Sequence, residues 1–265
     1  AEVGVAPDPA EHLASVVDDV IINEELGAGC LGICTSISVN NLGLWPILLG
    51  GTDVQIERFV GPLLKEPKLI SFCLTEPGAG TDAASLSTHA NDAGDHYILN
   101  GSKMWITNAG HADLFTVFCT VDKALKTKGI MVLIVDAKSQ GITLGKHENK
   151  LGQRASDTRG ITFDNVKVPK ANQIGKVGEG FKIALRTLDR TRATIAAGAA
   201  GAARSALQYS VKYAKERKQF GQPIAAFQGI QFMLADMATK VESSRLLCYQ
   251  AAWYFDQGRE EEASY

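Results

Sequence analysis

The chain reads as a multi-domain α+β protein, helical at both ends and all-β in the middle. Three observations predict that order. Apolar residues recur at three- and four-residue intervals before about residue 68 and again after residue 171. Runs rich in Ile, Val, Phe, Tyr and Thr fill the interval between them. No helical segment separates those runs, so no crossovers are available to make a parallel sheet.

In the first region, 1–68, Val16, Val17, Val20 and Ile21 follow Leu13 at helical spacing and mark an amphipathic helix expected to end at Gly27 and Gly29. Two more helical pieces, separated by Gly50-Gly51, carry the chain to about Pro67, and no strand is expected before residue 69. The middle region, 69–170, holds runs from Leu69 to Leu74, Tyr97 to Thr107, Asp113 to Val121, Gly129 to Val135 and Gly160 to Val168. Asn100-Gly101 carries a hairpin signal, because both central positions of a type I′ turn need positive φ. An antiparallel sheet or barrel is expected. The third region, 171–265, opens on the glycine-punctuated link 175–180 and turns helical from Phe181 through Lys218. After the connector QFGQPIA a second helix is striped by Phe227, Ile230, Leu234, Met237, Val241 and Leu247. Such a helical hairpin exposes an apolar face that two helices cannot cover, so its packing partners are expected in other chains or in further sequence. The small residues of ATIAAGAAGAARSAL suit close helix packing.

The 265 residues are 45% apolar, enough for one or two domains at roughly 150 residues each. Lys and Arg number 27 against 29 Asp and Glu, with no long run of one sign, which argues against a phosphate-backbone footprint and so against a nucleic-acid partner. The most apolar stretch, Leu42 to Gly51, is interrupted by Pro46 and falls short of the ~20 residues that span a bilayer. The opening AEVGVAPDPAEH has neither a basic n-region nor an apolar h-region. Cys30, Cys34, Cys73, Cys119 and Cys248 form an odd set with no C-x-x-C pair, so neither a disulfide framework nor a zinc site is expected, and a reducing compartment fits.

Two stretches match dinucleotide fingerprints, Gly27 to Gly32 and Gly78 to Ala83, yet neither lies between a strand and a helix of a βαβ unit, so neither supports NAD binding. No P-loop, H-E-x-x-H or G-x-S-x-G occurs, and the histidines (12, 89, 96, 111, 147) sit apart in polar contexts. The second glycine loop is more informative. CLTEPGAGTD (73–82) joins a strand end to closely spaced glycines, a loop able to aim several N–H groups at an anion, with the Thr75 and Thr81 hydroxyls beside them. In KMWITN (103–108), Trp105 and Thr107 are two residues apart on a strand and share a face. A broad ring and a hydroxyl so placed suit a tricyclic flavin.

Together with KLGQRASDTRGITFDNVKVP (150–169), LDRTR (188–192) and ERKQFGQPIAAFQ (216–228), these motifs resemble the acyl-CoA dehydrogenase flavoproteins over nearly the whole chain, in the style of the short- and medium-chain straight-chain members. The resemblance implies a helical N-terminal domain, a β middle domain and a C-terminal four-helix domain, here incomplete, in a homodimer or homotetramer with FAD between domains and subunits. It implies that Phe72, Cys73, Leu74, Thr75, Glu76, Pro77, Gly78, Ala79, Gly80 and Thr81 line the flavin and its ribityl-phosphate. Trp105 would shield one flavin face, Ile106 would lie between, and Thr107 would hydrogen-bond N5. Arg217, Gln219, Phe220, Phe227 and Gln228 would contact the ADP part of the FAD of a neighbouring subunit. Thr81, Asp189, Thr191 and Arg192 would hold the acyl-CoA.

The implied reaction is α,β-dehydrogenation of an acyl-CoA to a trans-2-enoyl-CoA, with electrons passed to an electron-transferring flavoprotein. The implied compartment is the mitochondrial matrix in a eukaryote and the cytoplasm in a bacterium; no membrane insertion and no metal are expected. The resemblance places the base glutamate in a Tyr-Glu-Gly-Thr-like motif, which is not found before Tyr265, while Thr191 occupies the position where branched- and long-chain relatives carry a glutamate. No catalytic base is therefore assigned within these residues, and the sequence reads as a fragment at both ends. A non-catalytic scaffold on the same fold and an acyl-CoA oxidase are the alternative readings.

Overall fold

The computed structural model describes residues 15–263. Leu13, His12 and Tyr265 lie outside them. The chain runs α1 (Val16–Gly50), α2 (Asp53–Lys65), then the strands β1 (Ile70–Cys73), β2 (His89–Asp92), β3 (His96–Thr107), β4 (Leu114–Thr120), β5 (Ile130–Asp136), β6 (Ile142–Leu144), β7 (Thr158–Pro169) and β8 (Gln173–Ile174). It continues with α3 (Gly180–Glu216), a two-stranded ribbon of β9 (Lys218–Gln219) and β10 (Gln222–Pro223), α4 (Gln228–Asp256) and α5 (Glu260–Ala263). The helical, β, helical order is that expected. Two compact units divide it, residues 32–191 and the residues before 32 with those after 191.

Unit 32–191 is built on one sheet of order β6-β7-β3-β2-β4-β5-β8, with β1 added beside β4. β4 and β5 are interior strands buried on both faces, which is why they read as continuous apolar runs. Phe115, Val117 and Leu133 enter one core with Leu99, Phe163 and Val166. Phe118, Val132 and Ile134 enter a second core with Ile47 of α1, Phe59 and Leu63 of α2, and Ile183 of α3. α2 starts on a capping box, Thr52 accepting from the Gln55 N–H while Gln55 reaches back to the Thr52 N–H.

Three expectations change. The sheet is mixed, not antiparallel: β1–β4 and one β2–β4 pair are parallel, because strands and loops between them supply the crossovers that were not expected without a helix. Asn100-Gly101 is not a hairpin turn but lies inside the single twelve-residue strand β3, opposite an irregularity in β7 where Asn165 takes φ 53°. Its glycine is required for another reason, since φ is 141° and a Cβ would meet the Thr88 side chain and backbone. The hairpin turn falls instead between β2 and β3 at Gly94, φ 94°, whose N–H donates to Asp92 Oδ1 at 2.9 Å. The strands β2 and β6 escaped the pattern because HAND and ITL are short and largely exposed.

α1 was expected to stop at Gly27 and Gly29; it departs from helical geometry only at Cys30 (φ −161°, ψ 111°) and then resumes. It has the length and apolar composition of a membrane span. Val20 and Ile47 are nonetheless fully buried within the protein. Asn40 Oδ1 accepts from the Ile70 N–H at 2.8 Å, and the Gly43 carbonyl accepts from the Thr116 hydroxyl at 2.7 Å.

In the other unit Val16 and Val20 of α1 pack with Ala193 and Ala197 of α3 and with Cys248, Ala252 and Phe255 of α4. Asp256 caps α1, accepting from the Val16 N–H at 2.8 Å and the Ser15 hydroxyl at 2.6 Å. Buried Glu24 accepts from Arg245 Nε at 2.6 Å and the Tyr249 hydroxyl at 2.9 Å, and pairs with Arg204 at 2.9 Å. Burial raises the Glu24 carboxyl, but these donors outweigh it and hold it below the usual carboxylate range. The small-residue stretch does bring helices close: a Cβ on Gly201 would overlap the Glu24 carbonyl, and one on Gly27 would overlap that of Gly198. Gly201→Ala is therefore expected to lower stability by about 1–3 kcal/mol through overpacking. Gly61→Ala, in open space on α2, should be neutral or slightly stabilising. Urea unfolding of the two variants checks the contrast. The hairpin faces stay uncovered as expected, with Tyr209, Phe232, Leu246 and Leu247 exposed.

Candidate cofactor site

A cavity of about 560 Å³ opens within unit 32–191. Its walls are the end of β1 with the loop that follows (Phe72, Leu74, Thr75, Gly80 to Ala84), the end of β3 (Trp105, Ile106, Thr107), Val39 and Leu42 of α1, and Phe181, Leu185 and Leu188 of α3. Helical spacing put Phe181, Leu185 and Leu188 on one stripe, and Val39 and Leu42 on another. Sequence reasoning did not assign them to the site because that spacing does not say what a stripe faces. Asp82 is the one acidic residue lining the cavity among the described residues.

The glycine loop is tied down from beneath. Glu76 closes a tight turn, its N–H donating to the Ala79 carbonyl at 2.9 Å and its carbonyl accepting from the Ala79 N–H at 3.2 Å. Its side chain turns away from the cavity and is buried. There it accepts from the Ser87 N–H at 2.6 Å, the Ser87 hydroxyl at 2.7 Å, the Thr88 N–H at 2.9 Å and Lys103 Nζ at 2.8 Å. Lys103, 1% exposed, also donates to the Leu74 carbonyl at 2.9 Å. Burial would raise the Glu76 carboxyl, yet the Lys103 charge and the Ser87 and Thr88 donors outweigh it and hold it at about 2. Burial pulls the Lys103 ammonium below its ordinary value against the attraction of Glu76. Cys73 and Cys119 lie in the same interior, where burial pushes both thiols up, Cys119 to about 12.

β3 changes parity at this point. Lys103 faces Ile161 and Ile106 faces Arg159, so β3 spends three steps where β7 spends two, and a bulge places Met104 and Trp105 opposite Gly160. The Met104 N–H donates to the Thr75 carbonyl at 2.9 Å, fastening the bulge to the glycine loop. Trp105 takes φ 62°, rare for a bulky residue, and the residue is 56% exposed at the cavity. Lys103 and Ile106 are both buried, and Trp105, Ile106 and Thr107 all line the cavity, whereas Lys103 does not. Simple alternation would have put Lys103 on the side of Trp105 and Thr107, so it could not identify Lys103 as a buried partner of Glu76.

Of the residues implied by resemblance, Phe72, Leu74, Thr75, Gly80, Thr81, Trp105, Ile106 and Thr107 line this one cavity. Cys73 faces the sheet core, Ala79 is buried in the second core, Glu76 is turned inward, and Pro77 and Gly78 are exposed on the turn. Asp189 and Thr191 lie on α3 just after Leu188, and the Thr191 hydroxyl donates to the Thr187 carbonyl at 2.9 Å. Arg192 belongs to the other unit, where it lines a cleft of about 390 Å³ with Cys248 and Tyr254. That unit also carries Arg217, Gln219, Phe220, Phe227 and Gln228, on the ribbon and the start of α4; Phe220 is 93% exposed. Beyond Thr107 a second chamber of about 350 Å³ is lined by Thr35, Lys150, Gln153, Ser156 and Thr158. Lys150 Nζ donates there to the Ser156 carbonyl and the Thr158 hydroxyl, both at 2.6 Å, and the buried Ser156 hydroxyl has no hydrogen-bond partner.

These donors fit a flavin nucleotide. The cavity is apolar on its α1 and α3 walls. On the loop and strand walls it carries the Thr75, Thr81 and Thr107 hydroxyls, with an exposed indole beside them. Gly78 and Gly80 have open space where a Cβ would stand, so ligand atoms can approach the loop backbone.

Comparison with known proteins identifies the family. The acyl-CoA dehydrogenase N-terminal, middle and C-terminal domain models match residues 10–67, 71–166 and 178–265. Subunit CarC of the caffeyl-CoA reductase-Etf complex of Acetobacterium woodii is 48% identical, over 83% of this chain and 58% of its own. The mitochondrial short-chain specific acyl-CoA dehydrogenase of Rattus norvegicus is 45% identical, over 88% of this chain and 57% of its own. The solved structure of butyryl-CoA dehydrogenase from Megasphaera elsdenii superposes with a TM-score of 0.91 at 42% identity, covering 96% of this chain and 67% of that one. The chain thus spans 58% and 57% of the length of those two curated relatives. It belongs to the acyl-CoA dehydrogenase family of flavoprotein oxidoreductases.

Proposed function

We propose that the protein is an FAD-dependent acyl-CoA dehydrogenase that converts short- or medium-chain acyl-CoA to trans-2-enoyl-CoA and passes electrons to an electron-transferring flavoprotein. We assign residues 1–68 to a helical N-terminal domain, 69–170 to the flavin-binding β-domain and 171–265 to a C-terminal helical domain. The observation that carries this reading is the convergence of Trp105 and Thr107, turned out by the β3 bulge, with Thr75, Gly80 and Thr81 on one cavity.

When bound, FAD would supply the two-electron acceptor for a hydride leaving Cβ. The chain's own contribution is position. Trp105 presents a flat ring against one face, and the Thr107 hydroxyl is held to donate to N5, its strand fixed by the Ser71 hydroxyl donating to the Thr107 carbonyl at 2.8 Å. Thr75 and Thr81 offer hydroxyls beside the glycine turn for ribityl and phosphate oxygens. Leu185 and Leu188 line the α3 side and would exclude water there once the cofactor is bound, which strengthens each of these bonds. Asp189, Thr191 and Arg192 follow on α3 as the proposed holders of the CoA end, and Arg217, Gln219, Phe220, Phe227 and Gln228 as contacts for a neighbouring subunit's ADP moiety in a homodimer or homotetramer. Removal of the weakly acidic α-proton needs a carboxylate of tuned pKa, which we assign to a glutamate outside residues 1–265.

Full-length protein should bind flavin and lose its visible flavin absorbance on anaerobic addition of butyryl- to octanoyl-CoA. Unchanged absorbance with every acyl-CoA would reject the proposal and favour the scaffold reading; rapid oxygen consumption by the reduced enzyme would favour an oxidase. The similarity to a caffeyl-CoA reductase subunit supports a second reading, in which the same site runs toward saturation of an enoyl-CoA. Oxidation of reduced flavin by a 2-enoyl-CoA faster than its reduction by the saturated thioester would select it.

A further inference from the structure

We propose that the buried Glu76–Lys103 pair is the positioning device for Trp105, an inference that rests on the flavin reading above. Lys103 stands two residues before Trp105, and in a regular strand the two side chains would share a face. Here Lys103 is drawn inside the sheet core, held by Glu76 Oε1 at 2.8 Å and the Leu74 carbonyl at 2.9 Å. With Lys103 fixed inward, Trp105 reaches the outer face only if the strand gains a residue between Lys103 and Ile106. The register shows that gain, and the left-handed φ of Trp105 is its local consequence. The same carboxylate anchors the far side of the loop through Ser87 and Thr88, and the bulge itself donates from Met104 N–H to the Thr75 carbonyl. One buried pair thus sets both walls of the cavity, the loop that offers Thr75, Gly80 and Thr81 and the strand that offers Trp105. Neither Glu76 nor Lys103 lines the cavity, so each acts through Trp105 and the loop as a positioning residue.

A charge-neutral double variant, Glu76→Gln with Lys103→Met, separates positioning from bulk stability, because replacing both partners of a buried pair removes the uncompensated charge that a single change leaves. Full-length protein carrying 5-fluorotryptophan reports Trp45, Trp105 and Trp253 as separate ¹⁹F signals, the Trp105 signal being identified by its absence in Trp105→Phe. The double variant is expected to unfold cooperatively, to move the Trp105 signal alone, and to bind FAD about tenfold or more weakly. An unmoved Trp105 signal, or movement of all three together, overturns the proposal. Should the double variant not fold, Lys103→Met alone carries the comparison, since Glu76 there keeps its Ser87 and Thr88 donors. The ¹⁹F comparison is made without FAD as well. A wild-type protein that binds no FAD would therefore sink the flavin reading while the positioning of Trp105 is still decided.

Discussion

Glu76→Gln is expected to cost about 3–5 kcal/mol of folding stability, because it removes the negative charge that compensates the buried Lys103 ammonium, even where the amide oxygen still accepts from it. Lys103→Met should cost less. It leaves Glu76 with three donors, Ser87 N–H, Ser87 hydroxyl and Thr88 N–H, so the carboxylate is still hydrogen-bonded. Urea titration of both variants at neutral pH measures the difference, and equal losses would show that the Lys103 charge carries no special weight. The pH dependence follows from the same pair. Glu76 titrates at about 2 when folded against 4.5 when free, so the folded state binds fewer protons through this window. Its stabilising contribution is complete above pH 4.5 and disappears as the pH falls toward 2. Wild-type protein should therefore lose stability steeply over that range, and Glu76→Gln should flatten the slope.

Trp105→Gly should separate stability from cofactor binding. An aromatic ring stacked on a flat heterocycle contributes about 1–3 kcal/mol, so FAD affinity should fall roughly 10–100-fold. Left-handed backbone costs a non-glycine residue about 1–2 kcal/mol, so glycine at φ 62° relieves strain and the protein without FAD should unfold at no lower urea concentration. Flavin fluorescence titration and urea melts of the same samples check both halves. A variant that binds FAD as tightly as wild type would remove Trp105 from the site.

The helical, β, helical order was legible because period 3.6 and period 2 differ sharply over runs of ten residues or more. β4 and β5 stood out as apolar runs because both their faces are buried. What escaped was local and depended on partners distant in sequence. Asn100-Gly101 has the chemistry of a hairpin turn, yet pairing with β7 keeps β3 continuous through it. Gly27 reads as a helix stop when its need is close approach to Gly198. Trp105 and Thr107 were placed together by alternation, and they do line one cavity. The reason is a bulge, and the bulge depends on Lys103 finding Glu76 twenty-seven residues away. The apolar wall from α1 and α3 was invisible for a similar reason, since an amphipathic stripe looks the same whether it faces a core or a ligand.

The most direct test is a crystal structure of the full-length protein loaded with FAD. The isoalloxazine is expected against the indole of Trp105, with the Thr107 hydroxyl within hydrogen-bond reach of N5 and the phosphates beside Thr75, Gly80 and Thr81. A flavin bound elsewhere, or a 560 Å³ cavity that stays closed to it at saturating FAD, would contradict the assignment.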